Sequence, residues 1–152
     1  MSAPDHLDRA ILQALQQDGT LSQRDLAERV GLSQTACARR LHALREAGVL
    51  TGTRAVIDAG RAGLTLTVFV MIRTRHHSRD WLAEFRRMVL AIPEVIDFYR
   101  IAGDYDYMLK VVAADMNDYD RVYQRLIERM ELDTVTSVIT MEAIADQRPL
   151  PV

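Results

Sequence analysis

Hydrophobic positions change their period once along this chain, and the change divides it. In the first third they recur three and four residues apart. Leu7, Ile11 and Leu15 form one stripe, with Asp5 placed to cap it and Asp18-Gly19 to stop it. Leu26, Ala27 and Val30 form a second, and Cys37, Leu41 and Leu44 a third. Gly31-Leu32-Ser33 interrupts the pattern between them. Three short helices are predicted. Ser22 can cap the second, with Asp25 three residues on as a variant of the capping box, and Ser33 can cap the third. Gly31 suits a turn that needs positive φ, and Gly48 stands where the third helix should stop. Ala27 is small enough to let the helices cross closely. Two short helices joined by a tight Gly turn make a helix-turn-helix, whose second helix lies in the DNA major groove.

From residue 64 the period falls to two. Leu64, Leu66, Val68, Val70 and Ile72 mark a strand. Residues 78–91 carry Trp81, Phe85, Met88 and Val89, with Ile92 next, a helix stripe ended by Pro93. Residues 95–102 read as a strand, Gly103-Asp104 as a turn and 105–113 as the returning strand. Asp115 caps a helix whose inner side holds Met116, Tyr119, Tyr123, Leu126, Ile127 and Met130. Residues 135–143 make the last strand, and 147–152, with two prolines, look irregular. The expected fold is α+β: a helix-turn-helix, winged-helix-like domain over 1–57, a linker over 58–63, and a ferredoxin-like βαββαβ domain over 64–152. Val49-Leu50-Thr51-Gly52 leads into Arg54-Ala55-Val56-Ile57, a short extended arm, either a wing beside the DNA backbone or a linker.

Two helices can cover one face of such a sheet only. Yet the first strand is apolar on both sides, Val68 and Val70 against Phe69 and Met71. The third offers Leu109 and Val111 against Met108 and Val112. An exposed apolar sheet face marks an interaction surface, and a second copy is its simplest cover, as a C2 dimer.

Composition narrows the function. The chain has 152 residues, 49% of them hydrophobic, and a net charge of −2, so it does not coat DNA by bulk charge. Residues 33–57 nevertheless carry Arg39, Arg40, Arg45 and Arg54 against Glu46 alone, a local +3. With Cys37, Leu41 and Leu44 inward, Thr35, Arg39 and His42 project outward, and Gln34 and Ala38 flank the helix start. Arg45 and Arg54 are better placed for phosphates. The expected DNA-contacting set is Ser33, Gln34, Thr35, Ala38, Arg39, Arg40, His42, Arg45 and Arg54; the plain alternative is a solvated, Arg-rich helix face. One cysteine excludes an internal disulfide and a multi-Cys zinc site, and Cys37 falls on the apolar stripe. With no long apolar run and no secretory signal, a cytoplasmic protein without a membrane span is expected. No nucleophile–base pair, phosphate-binding Gly loop or metal-ligand spacing is present, so no cofactor is expected.

The segments VGLSQTACARRLHALREAGVL and AGDYDYMLKVVAADMNDY, in this order and separation, resemble the Lrp/AsnC family of transcription regulators. The likeness runs from Leu7 to about Ile144. The run TRHHSRDWLAEFRRM with the ending RPLPV looks like a branch associated with cysteine detoxification. The resemblance implies double-stranded DNA as a partner and a βαββαβ domain that dimerises, with dimers assembling into tetramers or octamers. It also implies a small amino-acid effector, bound between effector domains of neighbouring dimers. Carried onto this sequence, the effector site would use Gly103, Asp104, Tyr105 and Asp106, with Asp106 taking the ammonium, and Met116, Thr136 and Ser137 lining the pocket. Without the resemblance, Gly103-Asp104 reads as an ordinary hairpin turn. The family often places Pro near the recognition-helix Cys; here stands Thr35-Ala36-Cys37, which implies a different local DNA preference. Two other readings compete. Certain haem-pathway decarboxylases look similar in architecture, with His76-His77 as candidate catalytic groups in a polar run. A metabolite-binding oligomer without a DNA role is the other.

Overall fold

The computed structural model describes residues 3–128 and 130–152. The chain forms two compact units, Met1–Val56 with Ala145–Val152, and Ile57–Ile144.

The first unit holds α1 (His6–Gln17), α2 (Gln23–Arg29) and α3 (Gln34–Glu46). Their starts are fixed by side-chain oxygens on otherwise orphaned N–H groups. Asp5 accepts from Leu7 and Asp8, and the Asp8 carboxylate returns to the Asp5 N–H, a complete capping box. Ser22 accepts from Asp25 N–H and Ser33 from Ala36 N–H. Two helices end by the same device. Leu32 N–H reaches the Ala27 carbonyl while Gly31 N–H reaches Glu28; Val49 N–H reaches Leu44 while Gly48 N–H reaches Arg45. These are Schellman pairs, and they require the positive φ that Gly31 (69°) and Gly48 (68°) adopt without steric cost. Ile11, Leu12, Ala14, Leu26, Ala27, Cys37, Leu41 and Leu44 form the shared core. The α1 face is broader than the expected stripe: Leu12 and Ala14 are buried, while Leu7 and Leu15 lie at the margin. Residues 51–57 are exposed, outside any helix or strand.

The second unit runs β1 (Leu66–Arg73), α4 (Arg79–Leu90), β2 (Val95–Arg100), β3 (Tyr107–Ala113), α5 (Met116–Ile127) and β4 (Thr134–Ile139). The antiparallel sheet has the order β2-β3-β1-β4, the ferredoxin-like arrangement. Strands are shorter than the apolar pattern suggested. β1 starts at Leu66, β2 stops at Arg100, β3 starts at Tyr107 and β4 stops at Ile139; beyond these ends pairing is reduced to single main-chain bonds, such as Ile101 N–H to the Asp106 carbonyl and Thr140 N–H to the Thr67 carbonyl. Two boundaries are placed differently from expectation. Residues 58–63 are a closed turn, in which Ala62 N–H bonds to the Asp58 carbonyl and Leu64 N–H to Ala59, and they belong to the second unit. Residues 145–152 belong to the first, because their main chain is bonded to α1.

Register assigns the faces. Val68 pairs with Val111, Val70 with Leu109 and Ile72 with Tyr107, and all six are buried. They meet Phe85 and Val89 of α4 and Tyr119, Val122 and Leu126 of α5. Trp81, Phe85, Tyr107 and Phe98 form a connected aromatic group, with ring centroids 5.0 Å apart for Trp81–Phe85 and for Phe85–Tyr107. The other face carries Phe69 opposite Lys110, Met71 opposite Met108, and Val138 and Thr136 from β4. Phe69 and Met71 are only half-buried, because neither helix lies on that side.

Phe85→Ala removes the centre of the aromatic group and should lower the stability of the second unit by about 3–5 kcal/mol. Trp81 is the only tryptophan, so urea unfolding followed by its fluorescence reads this unit selectively.

Candidate nucleic-acid interface and ligand-binding region

The roll of α3 is set by Cys37, Leu41 and Leu44, which are buried between α1 and α2. Helical geometry then puts Thr35, Arg39 and His42 on the outer side, and all three are exposed. Gln34 and Arg45 are exposed and Ala38 half-buried on a flank. Arg39, His42 and Arg45 have no ionic partner among the described residues. Ser33 caps α3 through its oxygen, which leaves its hydroxyl proton available. Arg54 is exposed on the extended arm.

Arg40 departs from expectation. It faces α1, and its Nη1 lies 2.8 Å from both Asp5 Oδ2 and Asp8 Oδ1. One guanidinium thus ties the capping box of α1 to the middle of α3. The Asp8 N–H bond and then the Arg40 contact hold the Asp5 carboxyl below its ordinary range, and Asp8 and Asp5 raise Arg40. Sequence reasoning missed this because the partners lie on another helix; two acids in an N-terminal turn were the only signal. Burial pushes the Cys37 thiol up, so it stays protonated at neutral pH as a packing group.

The second unit separates the residues expected to hold an effector. Gly103 takes φ 132° in the β2–β3 connection. Tyr105 Oη lies 3.2 Å from Thr136 Oγ1, so these two meet. Ser137 falls on the opposite face, opposite Val70, where its hydroxyl bonds to Tyr119 of α5. Met116 opens α5 just past Ala113, at the far end of β3 from the turn, about 20 Å away at strand rise. Within one chain these residues do not line one cavity.

Asp106 is engaged within its own chain. Its Oδ2 accepts from Thr74 N–H at 2.8 Å, its N–H donates to the Ile72 carbonyl, and its carbonyl accepts from Ile101. The side chain closes the end of β1. Two concavities lie elsewhere: one of about 330 Å³ between α4 and α5, and one of about 430 Å³ bordering Arg39 and Arg40. His76 stacks on Trp81 at 6.2 Å and its Nε2 lies 3.5 Å from Glu131 in an exposed loop. No cluster of metal-ligating side chains occurs among the described residues, and no helix among them is long and apolar enough to cross a membrane.

A basic helix rolled outward on a three-helix core, joined to a βαββαβ unit, defines a class: transcriptional regulators that carry a DNA reader and a ligand-binding domain in one chain. Comparison with known proteins agrees. The Lrp/AsnC ligand binding domain matches residues 67–150, and a winged helix-turn-helix DNA-binding family matches residues 4–51. The DNA-binding transcriptional activator DecR of Escherichia coli is 46% identical over 97% of this chain and 98% of its own length. The glutamate uptake regulatory protein of Zymomonas mobilis is 43% identical over 97% of this chain and 90% of its own. Among solved structures, an AsnC family transcriptional regulator from Agrobacterium tumefaciens superposes with a TM-score of 0.91 at 46% identity, covering 97% of this chain and 96% of that one. A Neisseria meningitidis transcriptional regulator in complex with L-Met superposes with a TM-score of 0.89 at 31% identity, covering 98% and 97%. The chain belongs to the Lrp/AsnC family and is a DNA-binding transcriptional regulator. The relatives are regulators by name, which sets aside both the decarboxylase-like reading and the oligomer without a DNA role.

Two outcomes follow from these contacts. Because the folded Asp5 pKa is depressed, its contribution is complete above the unfolded value and is lost as pH falls through the folded one. Thermal stability of the first unit should therefore drop below about pH 4, and Asp5→Asn should reduce that drop in a pH series of melts. Asp106→Ala strands the Thr74 N–H and should destabilise the second unit by about 1–3 kcal/mol, read by Trp81 fluorescence in urea.

Proposed function

We propose that α3 reads operator DNA with Thr35, Arg39 and His42, flanked by Gln34 and Ala38, while Ser33, Arg45 and Arg54 contact phosphates. The observation that carries this is the buried Cys37–Leu41–Leu44 seam, which leaves these side chains turned outward. Arg40 leaves the reading set, since its charge is engaged by α1. An exposed Arg can pair with guanine in a bidentate fashion, whereas a phosphate contact acts through charge alone. The site of action is the cytoplasm, where bacterial DNA lies.

The open sheet face dimerises, because Phe69, Met71 and Met108 share one apolar surface that neither helix covers. Two α3 helices then address two half-sites, and dimers assemble further into a tetramer or octamer. The effector is a small amino acid. A relative at 31% identity binds L-Met, which supports a sulfur amino acid, with cysteine as first candidate through the detoxification branch. The site lies between subunits. Main-chain N–H groups of residues 103–105 hold the carboxylate beside Asp104, and Met116 and Ser137 come from elsewhere in the assembly. This division is supported by the separation of those residues within one chain. Asp106 supports the turn from behind instead of binding the ammonium.

Anisotropy titration of a promoter duplex in a salt series tests the DNA assignment. Arg45→Gln and Arg54→Gln should each lower the log–log salt slope by about 0.9. An unchanged slope removes that residue from the phosphate set. Met71→Asp should leave the fold intact and reduce the assembly in analytical ultracentrifugation; an unaltered assembly would place the interface elsewhere.

A further inference from the structure

Residues 147–152 read as an irregular tail in sequence, yet they join the DNA-binding unit as part of Ala145–Val152. Gln16 of α1 makes the join. Its Oε1 accepts from Leu150 N–H at 2.6 Å and its Nε2 donates to the Leu150 carbonyl at 3.2 Å. One primary amide thereby satisfies both main-chain groups of one residue, as a neighbouring strand would. Gln13, three residues earlier on the same side of α1, donates from Nε2 to the Val152 carbonyl at 2.5 Å. Pro149 and Pro151 flank Leu150, and their fixed φ lowers the entropy lost when the segment docks. Gln147 turns the chain at φ 50°, the one non-Gly residue with positive φ among those described.

The consequence is topological. Residues 57–144 are inserted between two parts of the DNA-binding unit, so two covalent connections join the units, at 56/57 and at 144/145. The first connection follows an exposed run, residues 51–57, that lies outside any helix or strand. The second ends on α1, which shares its core with α3 and carries the two acids that hold Arg40.

We propose that the 145–152 segment is a second tether, clasped by Gln13 and Gln16, through which the state of the ligand-binding unit reaches α1 and hence α3. A ligand shifts DNA affinity only by its differential interaction with two arrangements of the protein. With the clasp open, rearrangement of the ligand-binding unit is absorbed by the free segment and never reaches the helix. The proposal rests on the amino-acid response given under Proposed function.

The test uses two variants at exposed positions on either side of the clasp. Gln13→Ala with Gln16→Ala removes the side-chain partners, and Leu150→Pro removes the N–H donor. Affinity for a promoter duplex is measured with and without L-cysteine and L-methionine, followed by the other amino acids. The tether predicts basal affinity within about twofold of the unmodified protein, and a response to the active amino acid weakened about fivefold or more in both variants. It also predicts faster hydrogen exchange of the Leu150 amide in the double variant. A full response in both variants overturns the tether and leaves the amino-acid reading standing. Loss of basal DNA affinity in both variants also overturns it, showing the segment to be a structural part of the reader. If the unmodified protein responds to no amino acid, the effector reading fails and the tether falls with it.

Discussion

The DNA-binding unit depends on the burial of one narrow seam on α3. Cys37, Leu41 and Leu44 are each nearly or fully removed from solvent. Such burial stabilises by roughly 1.5–3 kcal/mol for a leucine-sized side chain, far more than any exposed ion pair can contribute. Rolling α3 by one residue would expose this seam, so the roll is fixed by the core. The outward placement of Thr35, Arg39 and His42 follows from it. Capping by Ser33 and the Schellman ending at Gly48 set the length of the helix, and the Arg40 bridge to Asp5 and Asp8 adds a polar cross-link on the flank nearest α1.

The same economy governs the second unit. Alternation in β1 and β3 gives the sheet two apolar faces, but α4 and α5 cover one. What remains exposed on the sheet, around the half-buried Phe69 and Met71, is the surface on which the proposed dimer rests. Ser137, Met116 and the 103–106 turn are likewise held apart within one chain, which is the ground on which the proposed site between subunits rests.

Much of this was legible in the sequence, and the reason differs by element. Helices α1 to α3 announced themselves through apolar period, Ser and Asp caps and two Gly stops, all of them local signals. The βαββαβ order was legible because strand period and helix period are distinct, and the resemblance to the Lrp/AsnC family rested on two separated segments. Side-chain partners across the fold were not legible. Nothing near Arg40 in sequence pointed to Asp5 and Asp8, and nothing near Asp106 pointed to its bond to the Thr74 N–H. The tail was missed for the same reason: a proline-flanked segment has no period, and its partner Gln16 lies 134 residues away.

The measurement that bears most directly on the account is a paired comparison of Arg39→Ala and Arg40→Ala, two neighbours of identical chemistry. Each would be tested by quantitative footprinting on the operator and its single-base variants, with thermal melts alongside. The account predicts that Arg39→Ala flattens base preference at one operator position while the melt is unchanged. Arg40→Ala should lower the melting temperature of the first unit and keep the preference. The opposite assignment, with sequence preference lost at Arg40 and stability lost at Arg39, would contradict the roll of α3 on which the reading of this protein depends.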